Sequence, residues 1–289
     1  MVDLTPVQKA QAIELGKLVD IAYKMYSKDP VRPKFPGYSG YTFVAWIQMQ
    51  DFGLRSKETQ FYFYGFIVQK GDVPNNFVLV IRGTQRVVEF YDDFKSANSV
   101  SYYKAGKVAY GFNRIFNTMR VMEADGTLTS SFGATDFPSQ VKAAIEKHAA
   151  KIAPDLAQQA KSVVVTGHSL GSALATLYVA KASSDKEISV PLLCTFASPL
   201  VGDATFADWF DKLGIESWWI VNEADIVPNV PPSVLGFQHI NAEYGYTSTD
   251  ICANIPCNHE MHSYLHLLDP ALPVDWDCDS TIPHGPAWS

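Results

Sequence analysis

A serine between glycines, an aspartate behind an apolar strand and a run of late histidines are the residues here that could do chemistry. Gly167-His168-Ser169-Leu170-Gly171 fits G-x-S-x-G. Val163-Val164-Val165 before it reads as a buried strand, and the alanine-rich run to Lys181 after it reads as a helix. Strand, glycine-flanked serine and helix together form the context of a nucleophile elbow. The serine must sit in a strained turn that projects its hydroxyl from the sheet. Its neighbours must be small because strand and helix pass close together. The N–H groups that open the helix can then face a developing oxyanion.

A serine hydroxyl is a weak nucleophile near neutral pH. It needs a base, usually histidine, and a carboxylate that orients that histidine. In elbow-type hydrolases the chain order is Ser, Asp or Glu, then His. Asp225 is the best acid: it follows the apolar run Trp218–Val221 and precedes Ile226-Val227-Pro228, a strand-end loop. Glu223 comes two positions earlier, and Asp203 too soon after the preceding strand. The base lies among His239, His259, His262, His266 and His284. His259 to Leu268 reads as a loop entering a short helix, so His259 and His262 compete for the role. His266 lies further along that helix and packs or caps. His168, next to the serine in sequence, points elsewhere.

Several elements must position these groups. Thr5-Pro6 reads as an N-cap and first helical position, and Ile13 to Tyr26 carries apolar residues at helical spacing. Residues 28–40 read as loop. Residues 61–68 and 77–81 are strands, ended by Arg82-Gly83-Thr84. Gln85 to Phe94 reads as a short amphipathic helix. Val108 to Phe112 leads into a helix through Phe116 and Met119. Pro138–Ile152 is an amphipathic helix, 190–196 a strand, 204–212 a short helix and Trp218–Val221 a further strand. This alternation predicts an α/β fold with a mostly parallel central sheet covered by helices on both faces. No repeat or linker interrupts it, so residues 1–289 read as one domain.

Composition narrows the partners. The 289 residues are 47% hydrophobic, 18% charged and carry a net charge of -7, with no Lys/Arg block, which disfavours nucleic acid. No run approaches the ~18 apolar residues of a membrane helix. The start, Met1 to Pro6, lacks the basic and apolar regions of a signal peptide. Of four cysteines, Cys194 reads as a buried thiol, and Cys252 with Cys257 is a close pair that could form a small disulfide. No zinc-like CxxC spacing exists, and the chemistry requires neither a metal nor an organic cofactor.

The chain resembles the class 3 lipase family, which includes secreted fungal triacylglycerol lipases and plant phospholipase and galactolipase relatives. The matching pieces run in the family's order: residues 81–84, 110–112, 165–171, 196–203, 222–232 and His259 to Leu268. The resemblance implies an α/β-hydrolase with a short lid and with Ser169 as nucleophile and Asp225 as acid. Plant-like members favour His259 as base, because Met261 and Tyr264-Leu265-His266-Leu267 keep their register; fungal members place the histidine where this chain has Met261. It further implies Thr84 as the first oxyanion donor, with the Leu170 N–H as the second, and Gln85 to Phe94 as the lid. Tyr110 replaces a family histidine and is expected to be structural. The implied function is hydrolysis of carboxylic esters, foremost acylglycerols at an oil-water interface; a secreted mature chain is favoured, with a cytoplasmic one as the alternative. Polar lipids and short-chain or feruloyl esters are alternative substrates, and a degenerate binding module is the non-enzyme alternative.

Overall fold

The computed structural model describes residues 3–50, 60–72, 74–84, 98–102, 105–131, 133–156, 159, 161–185, 188–240, 242–247 and 255–274. Helix α1 is Pro6–Lys28. Its N-cap Thr5 accepts from the Gln8 N–H while the Gln8 side chain answers the Thr5 N–H. That reciprocal box and the proline in the first turn explain why the helix starts there. Then follow β1 (Tyr41–Gln50), β2 (Phe61–Lys70), β3 (Asn76–Ile81), β4 (Ser99–Ser101), β5 (Lys107–Ala109), α2 (Tyr110–Phe116), β6 (Arg120–Glu123) and α3 (Phe137–Ile152). The second half holds β7 (Ser162–His168), α4 (Leu170–Asp185), β8 (Leu192–Phe196), β9 (Gly202–Asp203), α5 (Ala204–Asp211), β10 (Glu216–Asn222), β11 (Phe237–Gln238), β12 (Ala242–Tyr246), α6 (Ile255–His259) and α7 (Met261–Leu268).

Eight strands form one sheet in the order β12-β10-β8-β7-β3-β2-β1-β6. The run from β12 to β3 is parallel, and β2, β1 and β6 join antiparallel. A small antiparallel sheet, β11-β9-β5-β4, lies apart from it. Side chains alternate between two buried cores. In β3, Phe77, Leu79 and Ile81 join the core that contains α4, while Val78 and Val80 join the core under α1 and α7. Period-two alternation with both faces covered is what a parallel sheet requires.

Among the described residues, no helix is long and apolar enough to cross a membrane. The Gln85–Phe94 helix falls outside the described residues, as do Cys252, Cys278 and His284. One sequence expectation changes: the helix through Phe116 stops there, with Met119 just beyond the turn that follows. The ten-residue strand β1 follows the loop of residues 28–40, in a stretch to which the sequence assigned no element. That strand hides a polar residue: Gln48 is fully buried, donates to the Val31 carbonyl and accepts from Arg120.

Candidate active site

Strand β7 ends at His168, helix α4 begins at Leu170, and Ser169 alone makes the turn with φ of 56°. A non-glycine residue in the left-handed region is held there only when its surroundings insist. Here they do. The Ser169 N–H donates to the Phe196 carbonyl at 2.9 Å, and the Ser172 hydroxyl lies 2.8 Å from the carbonyls of both Gly167 and Phe196. The flanking glycines are steric requirements. A Cβ on Gly167 would stand 2.5 Å from the Gly171 carbonyl oxygen, and one on Gly171 would stand 2.3 Å from that of Ile81. Ser169 is fully buried, and its hydroxyl makes no hydrogen bond among the described residues.

Asp225 lies three residues beyond the end of β10 and is 1% exposed. Its Oδ1 accepts from the Val227 N–H at 3.0 Å. Its Oδ2 accepts from His259 Nδ1 at 2.7 Å and from the Tyr264 hydroxyl at 2.8 Å. A carboxylate only accepts, so His259 carries its proton on Nδ1 and presents the lone pair of Nε2. That Nε2 is buried and, like Ser169 Oγ, has no hydrogen-bond partner among the described residues. The His259 ring sits 4.7 Å from the ring of His168, the residue before the nucleophile. Tyr264, on α7, was not singled out as functional from sequence. Its phenol is pushed well above the ordinary tyrosine value by burial first and by the Asp225 charge second, so it stays a donor.

The end of β3 runs alongside the elbow. A Cβ on Gly83 would stand 2.7 Å from the Ser169 Cβ, which places Thr84, the next residue, at the nucleophile's flank. Arg82, 1% exposed, anchors this corner: Nε and Nη2 donate to the Phe63 carbonyl, and Nη1 donates to the Gly83 carbonyl at 2.7 Å. Its guanidinium lies between the rings of Tyr26 and Tyr64, at 3.6 and 4.0 Å.

The competing histidines are engaged elsewhere. His262 Nε2 lies 3.0 Å from Asp20 Oδ1 on α1, an ion pair directed away from Asp225. His239 donates to the Pro228 carbonyl and stacks on Trp219; burial pushes its pKa down to about 4. His266 bonds to the Leu272 carbonyl. His168 is buried between Tyr23 and the His259 carbonyl, and burial first, then His259, hold its pKa well below the ordinary value. Trp218 and Trp219 are both buried, as expected of core residues, whereas Tyr110 is half exposed. Cys194 is a buried free thiol, and Cys257 is disulfide-bonded.

Several known proteins are similar to this chain. The lipase of Rhizomucor miehei is 43% identical over 88 residues, 29% of this chain and 24% of that protein. A structure of its propeptide complex superposes with a TM-score of 0.62 at 21% identity, covering 88% of this chain and 74% of that one. A secreted mono- and diacylglycerol lipase of Malassezia globosa is 28% identical over 153 residues, 52% of this chain and 42% of that protein. A chloroplastic phospholipase A(1) of Arabidopsis thaliana is 22% identical over 326 residues, 90% of this chain and 71% of that protein. The two fungal matches thus span less than half of the curated relatives' length. The fold is that of the α/β-hydrolase lipases. The family profile described as Lipase (class 3) matches residues 78–235, more than half of the chain, from β3 through the elbow and the Asp225 loop, and the chain therefore belongs to the class 3 lipase family.

Proposed function

We propose that this protein is a serine carboxylic-ester hydrolase that acts on acylglycerols. The observation that carries the reading is the Asp225–His259 hydrogen bond, which leaves a buried Nε2 lone pair on a ring packed against His168, the residue before a serine held at φ of 56°. In this mechanism His259 takes the proton of Ser169 as Oγ attacks the ester carbonyl. Asp225 holds the tautomer and stabilises the imidazolium. The backbone N–H groups of Thr84 and Leu170 receive the oxyanion, each worth ~3 kcal/mol in the transition state. His259 then returns its proton to the departing alcohol, and activates the water that hydrolyses the acyl-enzyme. His262 takes no part.

A lipid substrate is supported by the loop that follows Asp225. After Asp225, residues 226–242 contain no Asp, Glu, Lys or Arg, and Val234 and Leu235 on this loop are 88% and 49% exposed. A charge-free apolar turn suits a lipid surface. The name of the Malassezia relative, a mono- and diacylglycerol lipase, points to acylglycerols, and the Arabidopsis phospholipase match over 90% of this chain favours a polar-lipid alternative. Secretion is supported by the Malassezia relative and by the Cys257 disulfide, which an oxidising compartment maintains. Residues 1–289 are read as one catalytic domain, because both cores lie on the same sheet.

The test is hydrolysis of emulsified triglyceride, phospholipid, galactolipid and soluble short esters by wild type and Ser169→Ala. The expected result is triglyceride hydrolysis that rises steeply above the substrate's solubility limit and is abolished in the variant. Full activity of Ser169→Ala removes the triad, and preference for phospholipid or galactolipid selects the alternative.

A further inference from the structure

Four groups that must be mutually fixed during acyl transfer are joined by one chain of hydrogen bonds that leads to the N-terminal helix. The His259 carbonyl can only accept, so His168 Nε2 donates to it at 2.8 Å. His168 is neutral, so its Nδ1 accepts, and the Tyr23 hydroxyl donates to it at 2.8 Å. The Tyr23 oxygen in turn accepts the Gly83 N–H at 2.8 Å. One turn further along α1, Tyr26 covers one face of Arg82, whose Nη1 grips the Gly83 carbonyl at 2.7 Å. Gly83 is therefore held on both of its peptide groups. Its carbonyl shares a planar trans peptide with the Thr84 N–H, so a bond that grips the carbonyl aims that N–H the opposite way. Helix α1 is itself locked to the base. A Cβ on Gly16 would stand 2.9 Å from Met261 Cε and Leu265 Cδ2 on α7, and Asp20 pairs with His262 on the same helix.

We propose that Tyr23 is a positioning residue for the oxyanion site: its hydroxyl ties the Arg82–Gly83 peptide, which directly precedes the Gly83–Thr84 peptide gripped by Arg82, to the elbow histidine His168 and the backbone of His259 in one fixed unit. It touches no substrate and acts through Gly83 and His168. The proposal rests on the hydrolase reading above and deepens it by assigning a task to α1, which lies outside the profile match at residues 78–235. Fixing the frame before the reaction is how oxyanion sites gain their strength, because no dipole then has to reorient as charge develops.

The experiment is Tyr23→Phe, assayed on a soluble p-nitrophenyl ester with active-site titration, alongside inhibition by an alkyl boronic acid, which mimics the tetrahedral intermediate. Loss of one oxyanion donor costs ~100- to 1,000-fold, so mis-aiming one is expected to lower kcat by about 10- to 100-fold. KM stays within about twofold, and the boronic acid's Ki rises by the same factor as kcat/KM falls. Lys24→Ala, on the exposed side of the same helix, leaves kcat/KM unchanged. A Tyr23→Phe enzyme with unaltered kcat and boronic acid affinity per titrated site overturns the proposal, even if it melts earlier. Should Tyr23→Phe fail to fold, Tyr26→Leu removes one ring from Arg82 and must show the same paired loss; unchanged boronic acid affinity there overturns it equally. A wild type that hydrolyses no ester sinks both readings, whereas wild-type hydrolysis with an indifferent Tyr23→Phe sinks this one alone.

Discussion

Tyr264→Phe deletes one oxygen from the interior and leaves the ring in place. That oxygen donates to Asp225 Oδ2 at 2.8 Å and accepts the Asn222 N–H at 3.2 Å, and the side chain has no exposed surface. The substitution therefore takes one of three donors from a buried carboxylate and removes the Tyr264 acceptor of the Asn222 N–H. A hydrogen bond to a charged group contributes ~1.5–3 kcal/mol, and a neutral one ~0.5–1.5 kcal/mol. The 3.2 Å bond is long, which places the second contribution at the low end, so the expected loss of stability is about 3 kcal/mol. Urea unfolding followed by tryptophan fluorescence reads it as a lower midpoint at unchanged m-value. With His259 as the remaining side-chain donor to Asp225, the imidazole is less firmly oriented, and kcat is expected to fall about tenfold at nearly constant KM. Wild-type stability in Tyr264→Phe would refute the accounting of the buried carboxylate. Lost stability with full kcat would show that Tyr264 supports the fold and not the orientation of the base.

His259→Ala is expected to lower kcat by ~10⁴-fold or more, the scale on which single triad members act, while His262→Ala changes it less than twofold and costs less than about 1 kcal/mol of stability, because its partly exposed pair with Asp20 is screened. Ester hydrolysis by the two variants decides; the reverse ranking would exchange their roles. Stability is expected to fall as pH drops below ~6.5, where unfolded histidines take up protons that buried His168 and His239 refuse. His239 continues this loss down to its folded value of about 4, contributing at most about 3 kcal/mol. Melting temperature measured from pH 7.5 to 4.5 checks the slope, and His239→Phe, which keeps a ring against Trp219 but cannot take up a proton, should flatten it. A flat wild-type profile would contradict the buried neutral histidines.

What was legible in the sequence was local. The elbow is a strand, a strained serine and a helix within about twenty residues, and Gly167 is dictated by the backbone of Gly171 and Ser172 within the same turn. Strands β3, β7, β8 and β10 of the parallel half announce themselves because burial on both faces makes them continuously apolar, whereas β12, at the sheet edge and carrying Glu243, does not. Asp225 follows from the rule that sites gather where such strands end. Tertiary structure decided everything that depends on polar groups meeting across the chain. Tyr23 reaches His168 across 145 residues, and nothing near either residue signals the bond. His259 and His262 sit three positions apart, and only the packing of α7 on α1 turns one toward Asp225 and hands the other to Asp20. Strand β1 escaped notice because the carbonyl and guanidinium that satisfy its buried Gln48 come from residues 31 and 120. Apolar patterning specifies which face of an element is buried, since that depends on the element alone. Which polar atom meets which depends on how faces are stacked, and that information resides in the assembled fold.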